Sequence, residues 1–95
     1  MYRQGDILII PIETLPSGES KELKDKVIAR GETTGHKHLL RGAQLLMIAN
    51  AMYVVAKKAA MVTHEEHGQI DLPAGNYLVR RQQEYTPAGW RQVHD

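Results

Sequence analysis

From Val27 to Tyr85 the chain is divided into short apolar runs by turn-forming residues, and this spacing restricts the fold more than any other feature. The runs are "VIARGETT", "HKHLLR", "QLLMIA", "MYVVAK", "AAMVTH", "GQIDL" and "NYLVRRQQEY", separated by Gly31, Gly35, Gly42, Asn50, Gly68 and "LPAGN". Short β-branched stretches with regular turn signals predict antiparallel strands and few or no helices. The expected fold class is all-β, a small antiparallel β-barrel or sandwich. Earlier in the chain, "GDILIIPI" reads as a buried strand with Ile7 and Ile9 on one face and Leu8 and Ile10 on the other; Pro11 marks an edge or strand end. "ETLPSGES" must be a loop, and "KELKDK" carries no firm structural assignment.

Length allows one modest core, so the expectation is a single β domain over residues 1–95, with a short C-terminal extension from about residue 86. With no Phe and one Trp, that core must be built from Ile, Leu, Val, Met and Ala. A core of this kind makes a homo-oligomer one expected partner. The net charge of +1 is spread over both halves and by itself names no nucleic-acid or membrane partner. The absence of cysteine excludes disulfides, thiolate metal ligands and cysteine nucleophiles. Any metal must therefore be held by nitrogen and oxygen. The apolar run "ILIIPI" is far shorter than the roughly 20 residues of a membrane helix, and it lacks the basic flank and cleavage site of a signal peptide. No membrane partner and a cytoplasmic location are expected.

Four of the five histidines lie in two short motifs, "TTGHKHLL" and "THEEHG". Residues two apart on a strand share a face, so His36 and His38 stand side by side with Lys37 opposite. In "HEEH" the histidines are three apart, which brings them together on a helical turn but not on a regular strand, so a bulge or turn ending at Gly68 is required. Pairing, with Thr and Gly flanks that shape turns, favours one shared site over isolated surface or core histidines. Zinc or manganese takes three or four His or carboxylate ligands. The candidate metal ligands are His36, His38, His64 and His67, with Glu65 or Glu66 completing a set. "HEEH" is not the H-E-x-x-H of metalloproteases, because only two residues separate its histidines.

Imidazoles titrate near neutrality, so the same residues also suit metal-free RNA cleavage, in which a 2′-hydroxyl attacks the adjacent phosphate under paired acid–base catalysis. Arg30, Arg41, Arg80 and Arg81 are the cations available to steady a phosphorane. A second feature is "NYLVRRQQEY". Read as one strand, it puts Tyr77, Val79, Arg81, Gln83 and Tyr85 on one face and Arg80 on the other, an arrangement that can stack on and hydrogen-bond to unpaired bases. Arg80, Arg81, Gln83 and Tyr85 are the candidate nucleic-acid contacts. Core packing and exposed cross-strand pairs account for the same residues equally simply.

The His-x-His pair and the "DLPAGNY" turn resemble cupin barrels in architecture. More closely, "YRQGDILIIP", "ARGETTGHKH" and "THEEHGQIDLPAGNYLVRRQQEYTP" resemble, nearly end to end, a family of small uncharacterised bacterial and phage proteins with TGHxH and HEEH motifs. That resemblance attaches no activity.

The favoured expectation is a metal-dependent hydrolase acting on a phosphodiester, RNA-like substrate. Its catalytic candidates are His36, His38, His64, His67 and Glu65, with a carboxylate of the "HEEH" turn or Glu32 orienting water. The alternatives are a metal-independent ribonuclease using paired histidines and a non-catalytic module that binds RNA or a protein.

Overall fold

A computed structural model of the chain describes residues 1–31, 35–86 and 89–92, the part after residue 82 by its backbone alone. Its strands are β1 (Tyr2–Gln4), β2 (Ile7–Ile12), β3 (Ser20–Glu22), β4 (Val27–Arg30), β5 (Lys37–Arg41), β6 (Gln44–Ile48), β7 (Ala51–Ala56), β8 (Ala60–Thr63), β9 (Ile70–Leu72), β10 (Gly75–Arg81), β11 (Gln83–Thr86) and β12 (Gly89–Gln92). Among the described residues there is no helix. All pairings are antiparallel, in a six-stranded sheet of order β1-β2-β10-β7-β6-β3, a four-stranded sheet of order β4-β5-β8-β9 and the hairpin β11-β12. The two larger sheets do not close into a barrel, so the all-β expectation resolves to a sandwich.

Alternation explains the core. Ile7 and Ile9 of β2 are buried while Leu8 and Ile10 are half-buried on the other face, as the sequence pattern requires. They pack in one cluster with Leu45, Val54 and Tyr77 of the same sheet and with Ile28, Leu40, Val62, Ile70 and Leu72 of the four-stranded sheet. Each such aliphatic side chain removed from water contributes about 1.5–3 kcal/mol. Two turns set the registers on either side. Ala49 and Asn50 both have positive φ (49° and 63°), the signature of a two-residue type I′ hairpin, and Ile48 pairs with Ala51 across it. Gly5 supplies the positive φ (58°) at the tip of the β1–β2 hairpin, where Gln4 pairs with Ile7.

One segment without a firm assignment gains one, and one sequence expectation changes. "KELKDK" and its preceding serine contribute β3, an edge strand whose residues are all exposed, which is why no apolar pattern announces it. "NYLVRRQQEY" is two strands rather than one. The Gln82 amide donates to Asp6 O at 2.7 Å and its side-chain carbonyl accepts from Arg3, which ends β10; β11 then pairs with β12 instead of the main sheet. The row Tyr77, Val79, Arg81, Gln83, Tyr85 is therefore broken after Arg81. The side chains of Gln83 and Tyr85, and the whole of Glu32, lie outside the described residues.

Candidate histidine site

Strand register brings the two histidine motifs together. In β5 and β8, Arg41 pairs with Met61, Leu40 with Val62 and Leu39 with Thr63. Continued past the end of β8, the same register sets His38 opposite His64, Lys37 opposite Glu65 and His36 opposite Glu66. The contacts follow it. The His38 and His64 rings lie 4.4 Å apart centre to centre, Lys37 N donates to Glu65 Oε2 at 2.8 Å, and His36 Nδ1 lies 2.8 Å from Glu66 Oε1. His36 is aimed by the loop before it, where Gly31 N donates to His36 O at 2.8 Å and Gly35 N to Gly31 O at 3.0 Å.

The "HEEH" segment leaves the strand in a bend, the turn that its three-residue spacing demands. His64 Nδ1 accepts from the backbone N–H groups of Glu66 (3.0 Å) and His67 (3.2 Å), the geometry by which short polar side chains cap a turn. The bend sets His67 beside His64, with ring centres 4.6 Å apart and planes tilted by 45°, and parallel to His38 at 6.3 Å. All four predicted histidines therefore meet at one end of the four-stranded sheet. A neutral His64 that accepts at Nδ1 carries its proton on Nε2.

His38 is completely buried and sits on the same face of β5 as Leu40. Its Nδ1 lies 2.8 Å from Gln4 Oε1. Because Gln4 Nε2 donates to Val62 O (3.1 Å) and Gly68 O (2.8 Å), the amide orientation is fixed and His38 Nδ1 must be the donor. Gln4 thus ties β1 to both flanks of the histidine bend. Asp6, 2% exposed, stands behind this pair with Oδ1 3.8 Å from His38 Nε2. Its Oδ2 accepts from Arg81 Nε at 2.7 Å, while Arg81 Nη2 donates to Arg30 O at 2.7 Å. Arg81 is therefore committed to Asp6 and to β4, and Arg80 is exposed on the far face of the six-stranded sheet. Gln4 and Asp6 were not among the sequence candidates. The available signal was the "QGD" hairpin tip, a turn that puts a polar residue on either side of a glycine next to a buried strand.

The donor atoms of His36, His64 and Glu65 lie within 4.8 Å of one another and form the group able to hold a cation among the described residues. His38 and His67 border it without joining it. The Glu65 carboxyl is held below its ordinary range, first by its own backbone N–H and then by that of Lys37, with nearby His36 and His64 adding to the effect. It is ionised at neutral pH, the form that ligates a metal. Beside this group, Lys37, Leu39, Arg41 and Thr63 line a shallow groove of about 300 Å³ with His64 and Glu65.

Two open antiparallel sheets with a polar histidine site at one end define the chain as a β-sandwich protein with an end-on site. It belongs to the family described as Domain of unknown function (DUF8820), whose model matches residues 3–82. No curated protein and no solved structure matches the chain. The matched span takes in the histidine motifs, Gln4, Asp6 and Arg81, and stops short of the β11–β12 hairpin. No helix among the described residues is long and apolar enough to cross a membrane.

Proposed function

We propose that His36, His64 and Glu65 hold a divalent cation, zinc or manganese, and that the protein is a metal-dependent hydrolase of a phosphodiester. The observation that carries this reading is the convergence of two imidazoles and an ionised carboxylate within 4.8 Å. Donors around one tetrahedral zinc stand roughly 3.3 Å apart, given bonds of about 2.0–2.2 Å, so modest side-chain rotation closes the set. Three protein ligands leave a position for water, whose proton the metal makes easier to remove. Lys37 and Arg41 in the adjoining groove supply positive charge for a phosphate oxygen.

One observation favours a second reading, the metal-independent ribonuclease. His64 Nδ1 already accepts two backbone N–H groups, which leaves Nε2–H as a donor rather than a ligand. On this reading the His64 Nε2–H donates a hydrogen bond to a phosphate oxygen, while a pair of the other histidines, one neutral and one protonated, accepts the 2′-hydroxyl proton and gives one to the leaving oxygen.

Cleavage of RNA and of a non-nucleotide phosphodiester, each with and without chelator, separates the two. The metal reading predicts hydrolysis of both substrates that chelation abolishes. Cleavage of RNA alone that survives chelation and leaves 2′,3′-cyclic phosphate ends establishes the second. Inactivity on both under every metal leaves a binding module.

A further inference from the structure

The outer face of the four-stranded sheet carries a row of cations on β4 and β5 that the fold does not require, with Asp71 of β9 and Glu65 of the histidine bend as carboxylates on the same side. Arg30 and Lys37 are directly opposite one another on β4 and β5. Like charges facing across a strand pair are destabilising, so this pair costs stability instead of adding it. Alternation puts Leu39 and Arg41 on the same outer face as Lys37, opposite to buried His38 and Leu40. From Lys37 to Arg41 this row is about 13 Å long at about 3.3 Å per residue.

The row runs from the histidine site to a second basic feature. Just beyond Arg41, the chain crosses from one sheet to the other at Gly42 and Ala43 and returns at Lys57 and Lys58. These crossings and Lys26 enclose a concavity of about 390 Å³. Gly42 has φ 82°, a left-handed backbone conformation, so the turn that forms its wall favours glycine. Three lysines and no carboxylate line this concavity. Among the described residues, the ion pairs involve His36, His38 and Arg81 and none of these six cations.

We propose that Arg30, Lys37 and Arg41, continuing into the Lys26–Lys57–Lys58 concavity, form a track for the phosphate backbone of a single-stranded nucleic acid and lead it to the histidine site. The inference rests on the phosphodiester reading of that site and names the substrate class. A row of separated cations along one strand matches the regularly spaced charges of a polyphosphate chain. Lysine binds phosphate as a compact point charge without demanding one geometry. Clustering of these six cations along β4, β5 and the adjoining crossings between the sheets also explains why a chain of net charge +1 need not advertise this partner in its overall charge.

The test is a fluorescence-anisotropy titration of a short labelled oligouridylate and its DNA counterpart, in chelator so that no turnover intervenes, at about 50 and about 200 mM salt. The double variant Lys37→Ala/Arg41→Ala should bind about tenfold more weakly at the lower salt, and the slope of log affinity against log salt should fall by about 1.4, or about 0.7 for each phosphate no longer neutralised. Arg3→Ala/Lys21→Ala removes the same net charge from exposed positions on the other sheet and should leave both quantities unchanged. Circular dichroism checks that both variants are folded. Equal losses in the two variants reduce the effect to net charge and overturn the track, as does unchanged binding in both. If the track variant alone loses binding but no metal supports cleavage, the track stands and the hydrolase reading fails. If the protein cleaves its substrate while binding ignores Lys37 and Arg41, the track fails and the hydrolase reading stands.

Discussion

His38 and His64 face each other one register step beyond the Leu39–Thr63 pair, with ring centres 4.4 Å apart. That single step unites motifs 26 positions apart in the sequence. His38 is fully buried and His64 half-buried, so one ring is anchored in the sandwich and the other lies at its edge. The anchor is Gln4.

Gln4→Leu removes the acceptor of His38 Nδ1–H and leaves Val62 O and Gly68 O without their donor. Unsatisfied buried groups cost about 1–3 kcal/mol. Urea unfolding should show a loss in that range. Gln69→Leu, whose bond to Asp71 is exposed, should stay within about 0.5 kcal/mol of the parent. Equal stability of the two variants contradicts the anchoring role.

Arg81→Met leaves the Asp6 carboxylate buried without its cation, a change that costs about 3–5 kcal/mol. Adding Asp6→Asn removes the orphaned charge and should recover much of the loss. Additive destabilisation in the double variant means that the two residues do not act as a pair.

Much of this was legible in the sequence, and the missing parts have physical causes. Alternation in "ILII" and "KHLL" predicts the core faces because one side of each strand meets the other sheet. The requirement for a turn in "HEEH" follows from the spacing of three. β3 is entirely exposed and has no apolar period to reveal it. The break at Gln82 depends on a bond to Asp6, far earlier in the chain, which no local pattern encodes. The positions of Gln4 and Asp6 depend on the approach of the β1–β2 tip to the other sheet. The cross-strand register that joins the histidines was likewise invisible, although the pairing of the motifs pointed to it.

Glu65 should titrate below its ordinary value of 4.5, because the N–H groups of Glu65 itself and of Lys37 stabilise the carboxylate. A carboxyl depressed in the folded state adds stability above its unfolded value and loses that contribution as pH falls through its folded value. Carboxyl-detected NMR of metal-free protein should show this. Glu65→Gln should flatten the acid limb of stability. An ordinary Glu65 titration contradicts the capture of its carboxylate by Lys37 N–H.

Tyr77 should behave oppositely. Burial, and then Tyr2 at 6.1 Å, raise its phenol above 10.0, and its hydroxyl donates to Pro73 O at 2.5 Å. A group raised on folding contributes stability that is complete below its unfolded value and lost as pH climbs through the folded one. Tyrosine absorbance should therefore show a late-titrating phenol that Tyr77→Phe removes, and the parent should lose stability above about pH 10 more steeply than that variant. A normal titration of all tyrosines contradicts the assignment.

The most direct test of the central claim is metal content measured together with phosphodiester hydrolysis, in the parent and in His36→Ala. Losing one of three ligands leaves an incomplete shell. The expected result is stoichiometric zinc or manganese in the parent, loss of that metal in the variant, and hydrolysis that chelation abolishes and added metal restores. A parent that binds neither ion, or that cleaves RNA at an unchanged rate in chelator, contradicts it.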